Sequence, residues 1–310
     1  MSKCIDACLA KWEIPVDKVL LVVSDNGSNI VKAVRLLREQ AQLSKQATDD
    51  PVLFGDDLAP NLTTENEADD EIDDNSEDNE LGYAVDMTNI IEDIPFRRLG
   101  CLCHTLQLLI QEVYNCDEYK EILQTARRLV GKVRKSSIAM QKIVSRCGKT
   151  VISDNSTRWN STYLMVNRLL EIKVQLNEVL DEMKIDSLLT SEWGVLQEIV
   201  SLLEPFREQT DILQTDASSL SNVIPSLLEL ECHLEQFTSS TRLVKSMNLN
   251  MKKRFAVLLE PSDLDFNPLP VAACLLDPTC APVILGFDTS ALREKAKSYI
   301  LAQVNIILVL

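Results

Sequence analysis

Between Asp49 and Asp93 the chain carries seventeen acidic residues and neither a Lys nor an Arg. A run such as Asp69-Asp70-Glu71-Ile72-Asp73-Asp74, followed by Glu77, Asp78 and Glu80, has too little apolar surface to offset the entropy lost on ordering it. Residues 46–93 are therefore expected to form a disordered acidic insert, a solvated loop whose charge also suits a nucleic-acid mimic or a partner-binding segment. The fold must be assembled from the segments on either side. The 310 residues carry a formal net charge of −16, and setting aside the −17 of the acidic block leaves +1. The foldable part is close to neutral, and it is long enough for one large or two ordinary domains.

Upstream of the insert, Val19-Leu20-Leu21-Val22-Val23 is a five-residue apolar run with three β-branched members. It predicts a short strand buried on both faces. The strand ends on Ser24-Asp25, and Asn26-Gly27 forms a turn. Ile30, Ala33, Val34, Leu37 and Ala41 then recur at helical spacing, with Ser28 or Asn29 placed to cap the first turn. That period argues against a hairpin at Asn-Gly. A carboxylate at a strand end is held where a divalent-metal ligand would stand. Asp25 equally suits plain satisfaction of backbone donors in the turn.

Cys4 to Ala10 reads as a helix ended by Trp12-Glu13-Ile14-Pro15, and Phe96 to Cys101 as a second short strand. From His104 onward Leu106, Leu109, Ile110 and Val113 form one helical stripe. Ile122 to Thr150 holds Arg127, Arg128, Lys132, Arg134, Lys135, Lys142, Arg146 and Lys149 with no acidic residue, a charge of +8. Ala126, Leu129, Val130 and Val133, then Ile143, Val144 and Cys147, mark the buried faces of two helices there. Such a basic face suits phosphate contacts; it suits a merely solvated surface as well. Ser161 to Phe237 is almost wholly helical, with one helix through Leu176, Val179 and Leu180, one from Trp193 to Pro205, and one from Val223 to Leu234. Pro261, Pro268, Pro270, Pro278 and Pro282 break up the region before a last helix over Ser290 to Val304.

Several function classes find no support. No run of about eighteen apolar residues exists to span a membrane, and Met1 to Ala10 lacks the apolar core of a secretory signal. Nine cysteines, an odd number, read as reduced thiols of the cytosol or nucleus. Eight glycines form no phosphate-binding loop, and neither a nucleophile elbow nor a catalytic-cysteine signature occurs. No membrane partner and no small-molecule substrate are expected. Cys101, Cys103, His104 and Cys116 have zinc-ligand chemistry without zinc-site spacing. His233 lies within a helix and reads as structural. Asp154-Asn155-Ser156-Thr157-Arg158-Trp159-Asn160-Ser161-Thr162-Tyr163 packs hydroxyls, amides, a guanidinium and an indole at the opening of a helix. Arg158 and Trp159 suit clamping a phosphate and stacking on a base, and suit equally a buried bridge between two helices.

Taken in order, Val23-Ser24-Asp25-Asn26-Gly27-Ser28-Asn29, Cys101-Leu102-Cys103-His104-Thr105-Leu106-Gln107-Leu108 and Thr157-Arg158-Trp159-Asn160-Ser161-Thr162 resemble segments of the hAT transposase superfamily, particularly its domesticated zinc finger BED-type relatives. The stretch from Trp193 through Leu203-Glu204-Pro205-Phe206 to Thr210, then Val223-Ile224-Pro225 and Leu275-Leu276-Asp277-Pro278, extends the resemblance. It implies a mostly α fold: an incomplete RNase H-like remnant over 1–45 and 94–103 with a large all-helical insertion domain over 104–310. In that family three carboxylates hold two divalent metals. Asp25 matches the second of them, Cys101 and His104 match a C-x-x-H motif, and Arg158 and Trp159 match a motif near the DNA. The first carboxylate would precede Met1 and the third, a Glu, would follow Leu310; the BED zinc finger also lies outside this sequence. Thr279-Cys280-Ala281-Pro282 replaces the family's basic and aromatic residues after Asp277-Pro278. The expectation is a catalytically inactive nuclear protein with weak, non-specific DNA binding through Arg127, Arg128, Lys132, Lys135, Arg158 and Trp159, or with protein partners. No cofactor is expected, and Mg²⁺ or Mn²⁺ enters only if the chain is part of a complete transposase. The alternatives are a fragment of such an active enzyme, and a helical interaction module with no DNA role.

Overall fold

The computed structural model describes residues 2–15, 19–25, 27–49, 97–155, 158–215, 218–237, 241–286 and 289–309. It divides into two compact units, Met1–Leu99 and Gly100–Leu310. Most of the acidic stretch expected at 46–93 lies outside the described residues.

In the first unit, α1 (Ser2–Lys11), β1 (Leu21–Ser24), α2 (Ser28–Asp49) and β2 (Arg97–Gly100) follow in order, and β1 and β2 form a two-stranded parallel sheet. Both expected strands are present. α2 continues to Asp49, so residues 46–49 belong to a helix and not to the insert. The small core gathers Val34 and Leu37 of α2 with Ile5, Val19, Val22 and Ile30. Burial on both faces of β1 is not what is found: Leu20 and Val23 are each 57% exposed. Leu20 directly precedes the strand and Val23 lies within it, and a two-stranded sheet offers too little cover to take either from water. Trp12 is exposed as well. Neither Ser28 nor Asn29 caps α2, because the helix already begins at Ser28. The Gly27 carbonyl accepts from the amides of Ile30 (2.9 Å) and Val31 (3.0 Å) in the capping position.

Beyond Gly100 every regular element among the described residues is a helix. α3 (Leu102–Asn115), α4 (Asp117–Lys135) and α5 (Ser137–Cys147) lead to α6 (Trp159–Glu171), α7 (Lys173–Glu182) and α8 (Thr190–Leu213). After a 3-10 turn at Leu220–Asn222 come α9 (Val223–Gln236), α10 (Thr241–Leu259), α11 (Leu269–Leu276), α12 (Ala281–Gly286) and α13 (Ser290–Val309). The periodicities cause this arrangement. Leu106, Leu109, Ile110 and Val113 of α3, Leu123, Ala126, Val130 and Val133 of α4, and Leu176, Val179 and Leu180 of α7 are all buried. On α5 the buried positions are Ala139 and Ile143, whereas Val144, expected inside, is exposed. α5 ends on Gly148, whose φ of 67° is the left-handed conformation that terminates helices. α10, for which the sequence carried no reading, buries Val244, Met247, Met251, Phe255 and Leu258.

The helix expected to stop at Pro205 runs on to Leu213. A proline in a helix interior costs about 3 kcal/mol. The turns beyond it bury Phe206 completely, and burying one such ring returns about 1.5–3 kcal/mol. Thr210 adds a hydroxyl bond to the Phe206 carbonyl (2.7 Å), and the Gln209 amide donates to Glu229 of α9 (2.7 Å). Packing therefore outweighs the lost donor. His233 is structural as expected: its Nε2 sits 3.0 Å from the Leu202 carbonyl, and its ring meets Phe206 and Phe237 edge-on.

Asp277 staples two distant segments. Its carboxylate accepts from the hydroxyl of Ser221 (2.6 Å), beside the start of α9, and from the amide (2.9 Å) and hydroxyl (2.7 Å) of Thr279. These donors, Ser221 foremost, hold the carboxyl well below the usual carboxylate range. A carboxyl depressed in the fold stabilises above its unfolded pKa and loses that contribution as pH falls toward its folded pKa. Asp277→Asn is accordingly expected to lower the melting temperature by a constant amount from neutral pH down to about pH 5, with the gap closing below about pH 4. Thermal melts across that range check this; a gap that persists at the acid end would mean Asp277 acts through shape alone.

Candidate nucleic-acid interface

The Asp154–Tyr163 segment is held by a three-way contact. The Arg127 guanidinium of α4 donates through Nε to Asp154 Oδ2 at 2.7 Å. The Thr162 hydroxyl of α6 donates to the same oxygen at 2.8 Å and accepts from Arg127 at 3.4 Å. The Asp154 side chain is only 12% exposed, so two donors from two helices balance most of its desolvation. Ser161 closes the loop, its hydroxyl accepting from the Asn155 amide (2.8 Å) and lying 2.7 Å from the Asn155 and Arg158 carbonyls. Tyr114 of α3 donates its buried hydroxyl to the Trp159 carbonyl (3.2 Å). Burial raises that phenol far above its ordinary pKa, so it remains a donor.

Trp159, expected as a stacking platform, is buried (4% exposed), with its indole edge-on to Tyr163 at 6.3 Å between centroids. An indole in the core presents no face to a base. The buried-bridge alternative is the arrangement observed for it. Arg158, one residue earlier, is exposed in the capping position of α6.

The eight cations of 122–150 divide into two sets. Arg127 pairs with Asp154, Lys142 with Glu182 (2.7 Å), Arg146 with Glu178 (3.3 Å) and Glu182, and Lys149 with Glu171 (3.1 Å). Lys142 first and Arg146 second hold the Glu182 carboxyl below its ordinary pKa; Lys149, with Arg168, does the same for Glu171. These pairs fasten α5 to α7 and to the end of α6. The other set lies on α4. Arg128, Lys132 and Lys135 are all exposed, stand at i, i+4 and i+7, and form no ion pair among the described residues. Among the described residues Arg128 donates to the neighbouring Thr125 hydroxyl (2.8 Å). Arg134, which sequence reasoning did not single out, bonds the Ser153 hydroxyl across a cleft. The line 127–131–134 with Gly at its centre was the available signal for it.

The remaining expected residues sit elsewhere. Asp25 Oδ1 accepts from the Gly27 amide at 3.1 Å, an Asx turn, so the plain turn reading describes its contact. A Cβ on Gly27 would stand 3.1 Å from that oxygen, a tight contact. Arg98 of β2 donates to the Ser24 hydroxyl (3.0 Å) and the Asp25 carbonyl (2.5 Å). In the second unit Cys101 occupies the capping position of α3 without a side-chain cap bond, and His104 lies in its first turn. Burial first, then Cys101, pushes the Cys103 thiol up to about 11. Among the described residues no group of three or more His, Cys, Asp or Glu is placed to hold a metal ion.

Residues 99–202, which open the helical unit, match the family model described as the ZBED1 RNase-like helical domain. Zinc finger BED domain-containing protein 4 of Homo sapiens is 27% identical over 186 residues, 57% of this chain and 16% of that protein. A protein described as an AC transposase from Zea mays is 25% identical over 218 residues, 64% of this chain and 26% of that protein. Zinc finger BED domain-containing protein 6 of Homo sapiens is 24% identical over 208 residues, 62% and 21% respectively. The chain thus spans about a quarter or less of the length of these relatives. Over the matched residues the chain is thus similar to hAT transposase-related, BED-type proteins.

The three-way contact gives the first site prediction. Asp154→Ala leaves Arg127 half-buried without its carboxylate and is expected to cost about 1–3 kcal/mol in urea unfolding. Thr162→Val should cost less. In a double-mutant cycle the two changes should couple, being bonded to one another; strictly additive effects would show the contact to be energetically idle.

Proposed function

We propose that this chain is a catalytically inactive, nuclear, hAT-derived protein that binds nucleic acid weakly and without sequence preference through the exposed cationic stripe of α4. The carrying observation is the stripe itself. Arg128, Lys132 and Lys135 reach solvent without a carboxylate partner among the described residues, whereas four neighbouring cations are already paired. Phosphates can meet these three without breaking an ion pair. The stripe runs about 10 Å along the helix, at 1.5 Å per residue, and exposed Arg158 adds a further donor. Affinity of this kind comes from counterion release. The −17 of 49–93 competes for the same charges by sequence alone.

Inactivity rests on Asp25. Its carboxylate is engaged by the Gly27 amide, and the cation beside it is the Arg98 guanidinium. A positive neighbour opposes a divalent ion by simple Coulomb repulsion. A two-metal site further needs several ligating carboxylates, and among the described residues Asp25 belongs to no group of three or more His, Cys, Asp or Glu placed for a metal. Mg²⁺ or Mn²⁺ belongs to this chain only within a complete transposase. That second reading is favoured by the small share of each relative that the chain spans.

Fluorescence anisotropy with labelled duplex over a salt series tests the stripe. Replacing Arg128, Lys132 and Lys135 with Ala should flatten the log–log salt dependence by about 0.9 per lost contact, roughly 2.7 in all. Deleting 49–93 should tighten binding. Trp159→Ala should lower thermal stability, with no selective loss of single-stranded over duplex affinity. If the triple variant binds as the wild type does, the helical interaction module is the better reading. Mg²⁺-dependent nicking that vanishes in Asp25→Asn would establish the active-enzyme reading instead.

A further inference from the structure

A glycine in the interior of a helix weakens it relative to alanine, and nothing in the packing of α4 requires one at Gly131. A Cβ built there meets no atom within 4 Å, and the backbone is ordinary helix. The missing side chain leaves open space. That space is a cleft of about 390 Å³ between α4 and the segment after Val151. Val130 and Met165 give it an apolar floor, and Arg127, Arg134 and Lys135 line it together with Ser153 and Asp154. Three cations and one carboxylate leave +2. The carboxylate is consumed internally by Arg127 and Thr162. Arg134, by contrast, spends its guanidinium on a neutral hydroxyl, that of Ser153, which can turn to donate its proton outward.

We propose that this cleft is a binding site for a phosphate monoester, with the phosphate dianion between Arg134, Lys135 and the Ser153 hydroxyl and its ester group over Val130 and Met165. The charge matches, since a monoester carries close to two negative charges at neutral pH. Arg134 offers the planar fork that takes two phosphate oxygens at once. The volume exceeds that of a bare phosphate and falls at the small end of ligand pockets, leaving room for a sugar-sized group. This site goes beyond the solvent-facing stripe: Gly131 and Arg134 belong to the cleft alone, Arg128 and Lys132 to the stripe alone, and Lys135 borders both. The monoester has two sources, a free sugar phosphate or the terminal phosphate of a nucleic-acid strand.

The test is an amide NMR titration of the full chain, with Gly131 as reporter. The probes are inorganic phosphate, ribose 5-phosphate, and one short single-stranded oligonucleotide with either a 5′-phosphate or a 5′-hydroxyl. The expected result is a saturable Gly131 shift with phosphate and tighter binding of ribose 5-phosphate. Binding should weaken about tenfold or more in Gly131→Leu and in Arg134→Ala while staying unchanged in Lys132→Ala. A Cβ at this position meets no atom within 4 Å and leucine favours the helix, so Gly131→Leu should melt no lower than the wild type; Arg134→Ala carries the test if it does not fold. Preference for the 5′-phosphorylated oligonucleotide over its 5′-hydroxyl form supports the site with a strand end as source. Equal response to the two, with saturation by ribose 5-phosphate, supports it with the free sugar phosphate. Absence of a saturable shift, or wild-type binding by folded Gly131→Leu, overturns it. Loss of duplex binding in the Arg128→Ala, Lys132→Ala double variant, which leaves Lys135 in place, with the cleft titration intact would separate the two proposals.

Discussion

The contact of Arg127 with Asp154 and Thr162 sets the geometry of the helical unit around it. Arg127 lies on α4, Thr162 on α6, and Asp154 on the segment between α5 and α6, so one shared oxygen ties together elements up to 35 residues apart. Fixing Arg127 inward fixes the rotation of α4. Positions 123, 126, 130 and 133 then turn to the core, 131 and 134 to the loop, and 128, 132 and 135 to water. The functional surfaces of α4 are thus by-products of a structural bond. Such a contact is tolerable in a half-buried place because each group in it is satisfied by another.

Charge is allotted with the same economy. A stretch of +8 would repel itself, and the fold relieves it by bringing Glu171, Glu178 and Glu182 from α6 and α7 against α5. These exposed pairs contribute little individually. Their larger effect is to remove α5 from the field that a nucleic acid would sense, leaving α4 as the uncompensated helix. In the first unit Arg98 has a comparable effect, placing a fixed cation at the end of β1.

What the sequence revealed follows from how local each cause is. Helices with three or four apolar positions per two turns, such as α3, α4 and α9, were legible because burial repeats within one element. α10 had that same signal in Val244, Met247, Met251 and Phe255, masked by the Asn and Lys residues among them. The continuation of α8 past Pro205 was not legible, since it depends on what Phe206 packs against. Nor was the fate of Arg127, Lys142, Arg146 and Lys149, whose partners lie 22 to 40 residues away. Trp159 shows the limit most plainly. An indole beside an arginine has one chemistry in sequence, and burial alone decides whether it faces a base or a tyrosine. Asp25 differs, because the Asn-Gly turn after it already carried the local explanation for its hydrogen bond.

The placing of the three tryptophans has an optical consequence. Trp159 and Trp193 are buried in the helical unit, and Trp12 is 67% exposed in the other. Indole emission shifts to shorter wavelength in apolar surroundings, so the two units carry spectrally distinct intrinsic dyes. A quencher dissolved in water reaches Trp12 freely and the other pair only when the helical unit opens. The chain therefore records the separate unfolding of its two units in its own fluorescence, with no label attached.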